Sequence, residues 1–589
     1  MPIISVGKET VLKELGEKLC EEEPFGDLLF DYGLELDEVE VEPGTDRVTY
    51  RVELPANRYD LLSSEGLLRA LKVYTAQLSE SPIYKVVEPE NGRITLTVES
   101  STKDVRPICV AAVLRDVTLS SGALASFIDL QDKLHLNLGR RRTLVAIGTH
   151  DLDTIKPPFV YKALPPKEIK FKPLNQKKEF DAEELMEHYK SDLALRGYLK
   201  ILENEPLYPV IYDSQGIVCS MPPIINGDHS KMSANTKNIF IECTATDETK
   251  AKIVLNTIVT LFSQYCSAQF TVEPVNVVYE TTGETKSLPQ LNYRTEVVSG
   301  SMANKKIGVN IPVNEMANLL TKMCLSAELQ SNGDAIKVTI PPTRADVLHA
   351  CDIYEDIAIA FGYNNVEKVF PSTNTVAHQL PVNKLSDKLK ENVAMAGYTE
   401  VFTFSLCSRA DISSSICKED VDKAIENAVH ISNPATLEFQ VVRTSLIPGL
   451  LKTVSSNRKM PLPLKLFELS DVVLLDSTKD VGARNERRLA AIFYGKTSGF
   501  EVIHGLLDRV MQLLEVKNGD YVIKEADDTL FFPGRCAEVV CSWSPDGSEE
   551  KKSTHTLGMV GVIHPSVLKN FDLIYPCSVL EINVEPFVL

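Results

Sequence analysis

The stretch that most constrains this chain is PPTRADVLHACDIYEDIAIAFGYNN, from Pro341 to Asn365. Its second half carries a helical period. Ala350, Ile353, Ile357, Ala360 and Phe361 fall on one face at about 100° per residue. Asp346 is expected to cap the N-terminus of this helix and Gly362 to stop it. Asp352, Glu355 and Asp356 fall on the opposite arc, with Asp346 at the start. Four carboxylates are therefore expected on the side that the core does not need. One reading is a solvated acidic face near the positive end of the helix dipole. The other is a magnesium site, because Mg²⁺ takes hard oxygen ligands, usually one or two carboxylates plus waters. Four acids exceed what one ion needs from one chain. The second reading therefore requires some of them to act through water, or a partner chain to bring compensating charge.

A chain of 589 residues has room for roughly three to five domains. Its apolar content of 44% is ordinary for globular protein. No run approaches about 18 consecutive apolar residues, so no membrane span is expected. The N-terminal MPIISVGKETVLKEL has neither the basic-then-apolar signature of a secretory signal nor the Arg-rich look of a transit peptide. The 12 cysteines are scattered, and no CxxC pair or nearby His completes a zinc set. Reduced thiols in a cytoplasmic protein are the simplest account. A net charge of −19 argues against a general polyanion-binding surface, so basic patches must be read segment by segment.

In chain order the pattern suggests an α+β, multidomain protein with units at 1–85, 90–275, 300–375 and 385–589. In the first unit, Val48 to Leu54 alternates as a strand. Pro55 to Arg58 reads as a turn with a surface arginine, and Asp60 as the cap of the helix carrying Leu61, Leu67, Leu68 and Leu71. In the second, segments 94–100 and 108–117 read as strands and 126–138 as a helix. Lys156 to Lys178 holds seven lysines and no arginine, interleaved with Phe159, Tyr161 and Phe171. This is either a lysine-rich surface loop or a track for a nucleic-acid backbone with stacking rings. Tyr212 to Gly216 is a hairpin signal. Gly227-Asp228-His229-Ser230 sets an acid, an imidazole and a hydroxyl side by side, but triad members converge from separate elements and no GxSxG elbow is present. In the third unit, 316–329 reads as one amphipathic helix and 336–344 as a strand, with Arg344 placed to pair with an acid of the following helix. The last unit mixes helices with strong strands such as LKLFELSDVVLL. The chain contains no GxxxxGK[ST] or GxGxxG phosphate loop. Arg443 and the His504–Arg509 run read as structural.

Several runs resemble one family when taken in order. They are LPANRYDLLSSEGLLRAL (54–71), AIGTHDLDT (146–154), PVIYDSQGIVCSMPPIINGDHS (209–230), NIFIECTATD (238–247), RTSLIPGLLKT (443–453), LKLFELSDVV (464–473), FFPGRCAEV (531–539) and GMVGVIHP (558–565), together with the acidic helix. The chain resembles the β subunits of phenylalanine–tRNA ligases of the eukaryotic cytosolic and archaeal type. The resemblance implies a B1 domain, a B3/B4 editing domain, a B5 domain and a B6/B7 region related to class II synthetase cores but without an aminoacylation site. It implies an α₂β₂ heterotetramer with an α subunit that carries the ATP-dependent charging of tRNA(Phe). It also implies hydrolysis of Tyr-tRNA(Phe) in this chain. The acids matching Asp346, Asp352, Glu355 and Asp356 would bind Mg²⁺ in a site shared with the α subunit. Asp228 would match an acid that recognises the tyrosine hydroxyl, although it is Asp where bacterial members have Glu, and MPPIIN stands where they are glycine-rich. His229 and the Thr149-His150-Asp151 run are lining candidates. A subunit that has lost editing and serves as a scaffold, or a free-standing hydrolase, are the alternatives.

Overall fold

The structure is a computed structural model. It describes all residues except 1, 46, 331–332, 372, 374–375, 545–552 and 589. Residue 375, the expected end of the third unit, and Leu589, the expected end of the last, thus lie outside the described residues. The chain forms two compact units, Met1–Phe370 and Pro371–Leu589.

The first unit is built on an 11-stranded mixed sheet. Its main path runs through Ile225–Asn226, Val218–Met221, Tyr208–Tyr212, Phe159–Leu164, Ile94–Val98, Thr271–Tyr279, Ile108–Leu114, Ile239–Ala245 and Val145–Asp151. The helices Ser121–Leu136 and Glu248–Phe262 supply apolar faces to the same core, with Phe127, Leu130 and Leu134 buried on the first and Val254, Leu255 and Ile258 on the second. Ser120 and Asp247 cap them by accepting a backbone N–H three residues on. The Tyr212–Gly216 hairpin forms as its sequence implies. Tyr208–Tyr212 and Val218–Met221 are antiparallel, and Asp213 accepts the N–H groups of Gln215 and Ile217.

Two smaller three-stranded sheets flank this core. One is Ile3–Gly7, Val48–Glu53 and Glu35–Val41. The other is Arg294–Ser299, Ala335–Ile340 and Ser326–Leu329. The apolar core runs without a break through all three parts, from Ile4 to Ala360. Arg69, on the helix Ser64–Tyr74, ties the first part to the second by donating to the carbonyls of Thr260 and Leu261.

Several local expectations are corrected. The helix after residue 60 is capped by Ser63, not Asp60. Asp60 instead receives a bidentate bond from Arg58, and both are buried, so Arg58 is no surface arginine. The expected single helix 316–329 is the helix Val313–Lys322 followed by the strand Ser326–Leu329. The break falls at Cys324, whose φ of 61° ends a right-handed helix. Phe159, Tyr161 and Phe171 are all buried, so they cannot stack on bases, whereas the lysines of that segment are exposed apart from the half-buried Lys162.

The second unit carries a seven-stranded sheet in the order Thr399–Glu400, Leu464–Leu475, Ala483–Tyr494, Cys577–Asn583, Ser553–Ile563, Phe531–Trp543, Tyr521–Glu525. All neighbours are antiparallel except the first pair. The helices Pro381–Met395 and Phe500–Leu513 cover one face, and Ile447–Ser456 and Pro565–Asn570 the other. Among the described residues no two cysteines form a disulfide.

Candidate functional site

The helix Ala350–Phe361 forms, but His349, not Asp346, stands at its N-cap. Asp352 closes the capping box, accepting the N–H groups of Leu348 at 2.7 Å and His349 at 2.8 Å. The acids do not gather on a free face. Arg344 is 2% exposed and donates to Asp346 and Asp356, each at 2.8 Å, and to the Met323 carbonyl. Burial pushes the Asp356 carboxyl up to about 6 against the pull of Arg344. Burial also acts to raise Asp346, but Arg344, with Arg58 and a backbone bond, more than offsets it and holds that carboxyl below the usual range. Two of the four expected magnesium acids are thus committed to a buried arginine, one caps the helix, and Glu355 alone is exposed. Among the described residues no three His, Cys, Asp or Glu side chains are gathered as a metal-ligand set. As placed here, the four do not form one site within this chain. The pairing of Arg344 with acids of this segment is as the sequence implies.

The second group of expected residues lies near a cavity of about 460 Å³ in the first unit. Ile128, Ile147, Pro223, Ile224 and Met232 give it an apolar wall, and Gln131, His135, Arg142, Asn226 and Glu242 give it polar points. Asp228 does not line it. Its carboxylate is bound by Lys172 at 2.7 Å and by the Asn175 N–H at 3.0 Å, which together hold it below the usual carboxylate range. Asp228 therefore ties down the rim, where Lys231 donates to Asn175. His229 is exposed and does not line the cavity either. Of the Thr149-His150-Asp151 run, Thr149 lines it and His150 lies fully buried beside it.

Two acids do line the cavity: Asp132, exposed on the Ser121–Leu136 helix, and Glu242, 1% exposed in the middle of the Ile239–Ala245 strand. Strand register sets Glu242 opposite Gly148. A Cβ at Gly148 would lie 2.0 Å from Glu242 Oε1, so only glycine leaves room for the carboxylate there. Oε1 accepts from Ser220 Oγ at 2.8 Å and lies 3.8 Å from His150 Nε2. His150 Nδ1 is in turn 2.8 Å from Ser230 Oγ. Glu242 Oε2 has no partner, nor do His135 Nδ1, Arg142 Nε and His150 Nε2. A buried polar atom without a partner costs about 1–3 kcal/mol. Three such atoms on residues lining one cavity, with a fourth just behind, mark a place built for a polar ligand with an apolar body. The sequence signal for Glu242 is an acid inside the otherwise apolar strand run IFIECTA. Nothing local distinguishes it from an error of pattern until Gly148 is brought opposite.

Four family models match the chain: the Phe-tRNA synthetase beta subunit B1 domain at residues 1–77, the B3/4 domain at 118–267, the tRNA synthetase B5 domain at 297–363, and the phenylalanyl tRNA synthetase beta chain CLM domain at 366–584. The cavity falls within the B3/4 match. The phenylalanine–tRNA ligase beta subunits of Caenorhabditis elegans and Homo sapiens are 53% and 52% identical, with 100% of both chains covered in each comparison. The cytoplasmic one of Arabidopsis thaliana is 45% identical over 99% of this chain and 100% of its own. The crystal structure of an N-terminal fragment of the Pyrococcus horikoshii phenylalanyl-tRNA synthetase beta subunit, 33% identical, superposes with a TM-score of 0.56 over 61% of this chain and 99% of that one. With four family domains in order and full-length relatives above half identity, the chain belongs to the family of phenylalanine–tRNA ligase β subunits.

Proposed function

We propose that the cavity around Glu242 is where this chain hydrolyses Tyr-tRNA(Phe). The chain is an aminoacyl-tRNA synthetase subunit, and B3/4 is the editing domain of its family. The observation that supports the reading is the unpartnered Glu242 Oε2 at an apolar cavity of about 460 Å³. A phenol O–H donated to that oxygen satisfies it. A phenylalanine ring leaves it buried and unpaired. A synthetic pocket shaped for phenylalanine cannot strongly reject an added hydroxyl, whereas a site that must bond the hydroxyl rejects its absence by several orders of magnitude. Asp228, given this role by resemblance, is reassigned to the rim.

Charging, in this reading, takes place on an α partner in an α₂β₂ assembly in the cytoplasm, with ATP and Mg²⁺ as the holoenzyme's requirements. For a shared Mg²⁺ this chain's available contribution is Asp352 and Glu355, since Asp346 and Asp356 are held by Arg344. No helix of the described residues is long and apolar enough to cross a membrane.

The test is deacylation of Tyr-tRNA(Phe) by the α–β assembly, wild type against Glu242→Gln and Asp228→Asn. Glu242→Gln is expected to lose about 100-fold in kcat/KM, the discrimination that a hydroxyl-binding group supplies being at least this large. Asp228→Asn is expected to lose only a few-fold. The reverse ranking returns the site to Asp228.

A further inference from the structure

The cavity has a second polar pole that hydroxyl recognition does not use. His135, 4% exposed near the end of the Ser121–Leu136 helix, accepts the Ile147 N–H on its Nε2 at 2.9 Å. Burial, together with the charges of Arg142 and Arg106, holds the ring neutral. A neutral imidazole that accepts on Nε2 carries its proton on Nδ1. That N–H is a buried donor without a partner. Arg142, also lining the cavity, is fixed by bonds from Nη1 to the carbonyls of Pro223 and Ile224, and its guanidinium lies 4.3 Å from the centre of the Tyr198 ring. Its Nε–H is a second unpartnered buried donor. Arg140, Arg141 and Arg142 have φ of 44°, 53° and 65°. Each such residue costs about 1–2 kcal/mol, and such strain persists where surrounding contacts hold a functional group in place.

Resting on the reading of the cavity as a tyrosyl-ester site, we propose that His135 Nδ1–H and Arg142 Nε–H receive the ester carbonyl oxygen and hold the negative charge that develops on it. Glu242 accepts at the phenol end and these two groups donate at the ester end. In the step they serve, a water oxygen bonds to the ester carbon and the carbonyl π pair moves onto oxygen. When that pair returns, the bond to the ribose oxygen breaks. The ribose oxygen takes a proton that the water gives up, leaving tyrosine and a free 3′-terminal hydroxyl. Donors placed before the charge appears stabilise it without reorganisation.

Two substitutions at His135 separate this role from a structural one. Glutamine sets its side-chain oxygen at the position of Nε2, so it keeps the bond from Ile147 and loses the Nδ1 donor. Asparagine sets its amide nitrogen at Nδ1, so it keeps the donor and loses the bond from Ile147. In the full α–β assembly, His135→Gln is expected to lower kcat for Tyr-tRNA(Phe) hydrolysis about 100-fold, with KM and thermal midpoint close to wild type. His135→Asn is expected to keep kcat within a few-fold while its thermal midpoint falls. A His135→Gln protein that hydrolyses at the wild-type rate overturns the donor role alone, as does equal loss of kcat in both variants in step with stability. Absence of hydrolysis by the wild-type assembly removes both this role and the editing reading beneath it.

Discussion

The sheet of the second unit and the cavity of the first both bury carboxylates, and they do so in opposite ways. In the second unit Glu468 accepts from Arg443 at 2.7 Å and Ser470 at 2.6 Å on one oxygen, and from Thr403 at 2.7 Å on the other. Arg443 in turn donates to the carbonyls of Asp471 and Thr403. Glu581 is bound by Ser445 and by the Leu446 N–H. Both oxygens of each acid are taken. In the first unit, Glu242 has one oxygen bound and one left over. A closed network rigidifies and asks for nothing more, whereas an open one keeps an atom that a ligand can bond. Glu468 and Glu581 are thus satisfied by the second unit's own groups, while the cavity of the first keeps polar atoms in reserve.

The contrast can be broken by substitution. The largest effect is expected at Glu468→Ala. Leaving Arg443 buried without its acid costs about 3–5 kcal/mol, read by denaturant unfolding as a loss confined to the second unit. Glu242→Ala is expected to do the opposite to the first unit, with stability within about 1 kcal/mol of wild type or higher, because a half-satisfied carboxylate is removed. A loss as large as that at Glu468 would erase the distinction. A pH series sharpens it further. His135 is held neutral in the fold, while the unfolded ring protonates near its ordinary value. The unfolded state then binds the extra proton, so stability is present above about pH 6.5 and is lost as pH falls below it, by up to about 1.4 kcal/mol per pH unit. Wild type and His135→Gln, compared from pH 7 to 5, are expected to differ by that slope. The smallest effect is at the acidic helix. Asp352→Ala loses the cap bonds to Leu348 and His349 and about 1 kcal/mol, whereas Glu355→Gln leaves stability unchanged. Equal costs at the two would mean that Glu355 also has a structural partner.

What the sequence made legible was periodic and local. The Tyr212–Gly216 hairpin, the apolar face of the helix read at 126–138 and formed at Ser121–Leu136, and the long strand Leu464–Leu475 follow from alternation, helical spacing and turn chemistry. What it hid was set by partners far away in the chain. Asp346 reads as a cap, but becomes one arm of a buried Arg344 pair once Asp356 is brought beneath it. Arg58 reads as a surface turn residue because neither the Tyr32 hydroxyl nor the burial around Asp60 is visible from the turn. The candidate cavity acid was placed at Asp228 by resemblance. Glu242 is in position only because a glycine faces it across two paired strands. Charge in a sequence shows that a group must be satisfied. The fold decides who satisfies it.

The unbroken core from Ile4 to Ala360 bears on fidelity under heat. Through Ile147 and Met232 the cavity shares that apolar support with residues at the N-terminus and with the acidic helix, so these parts should melt in one cooperative step and not in sequence. Proofreading in such a molecule would not fade gradually on warming. It would hold nearly constant and then fail abruptly, in the same transition that frees the first fifty residues.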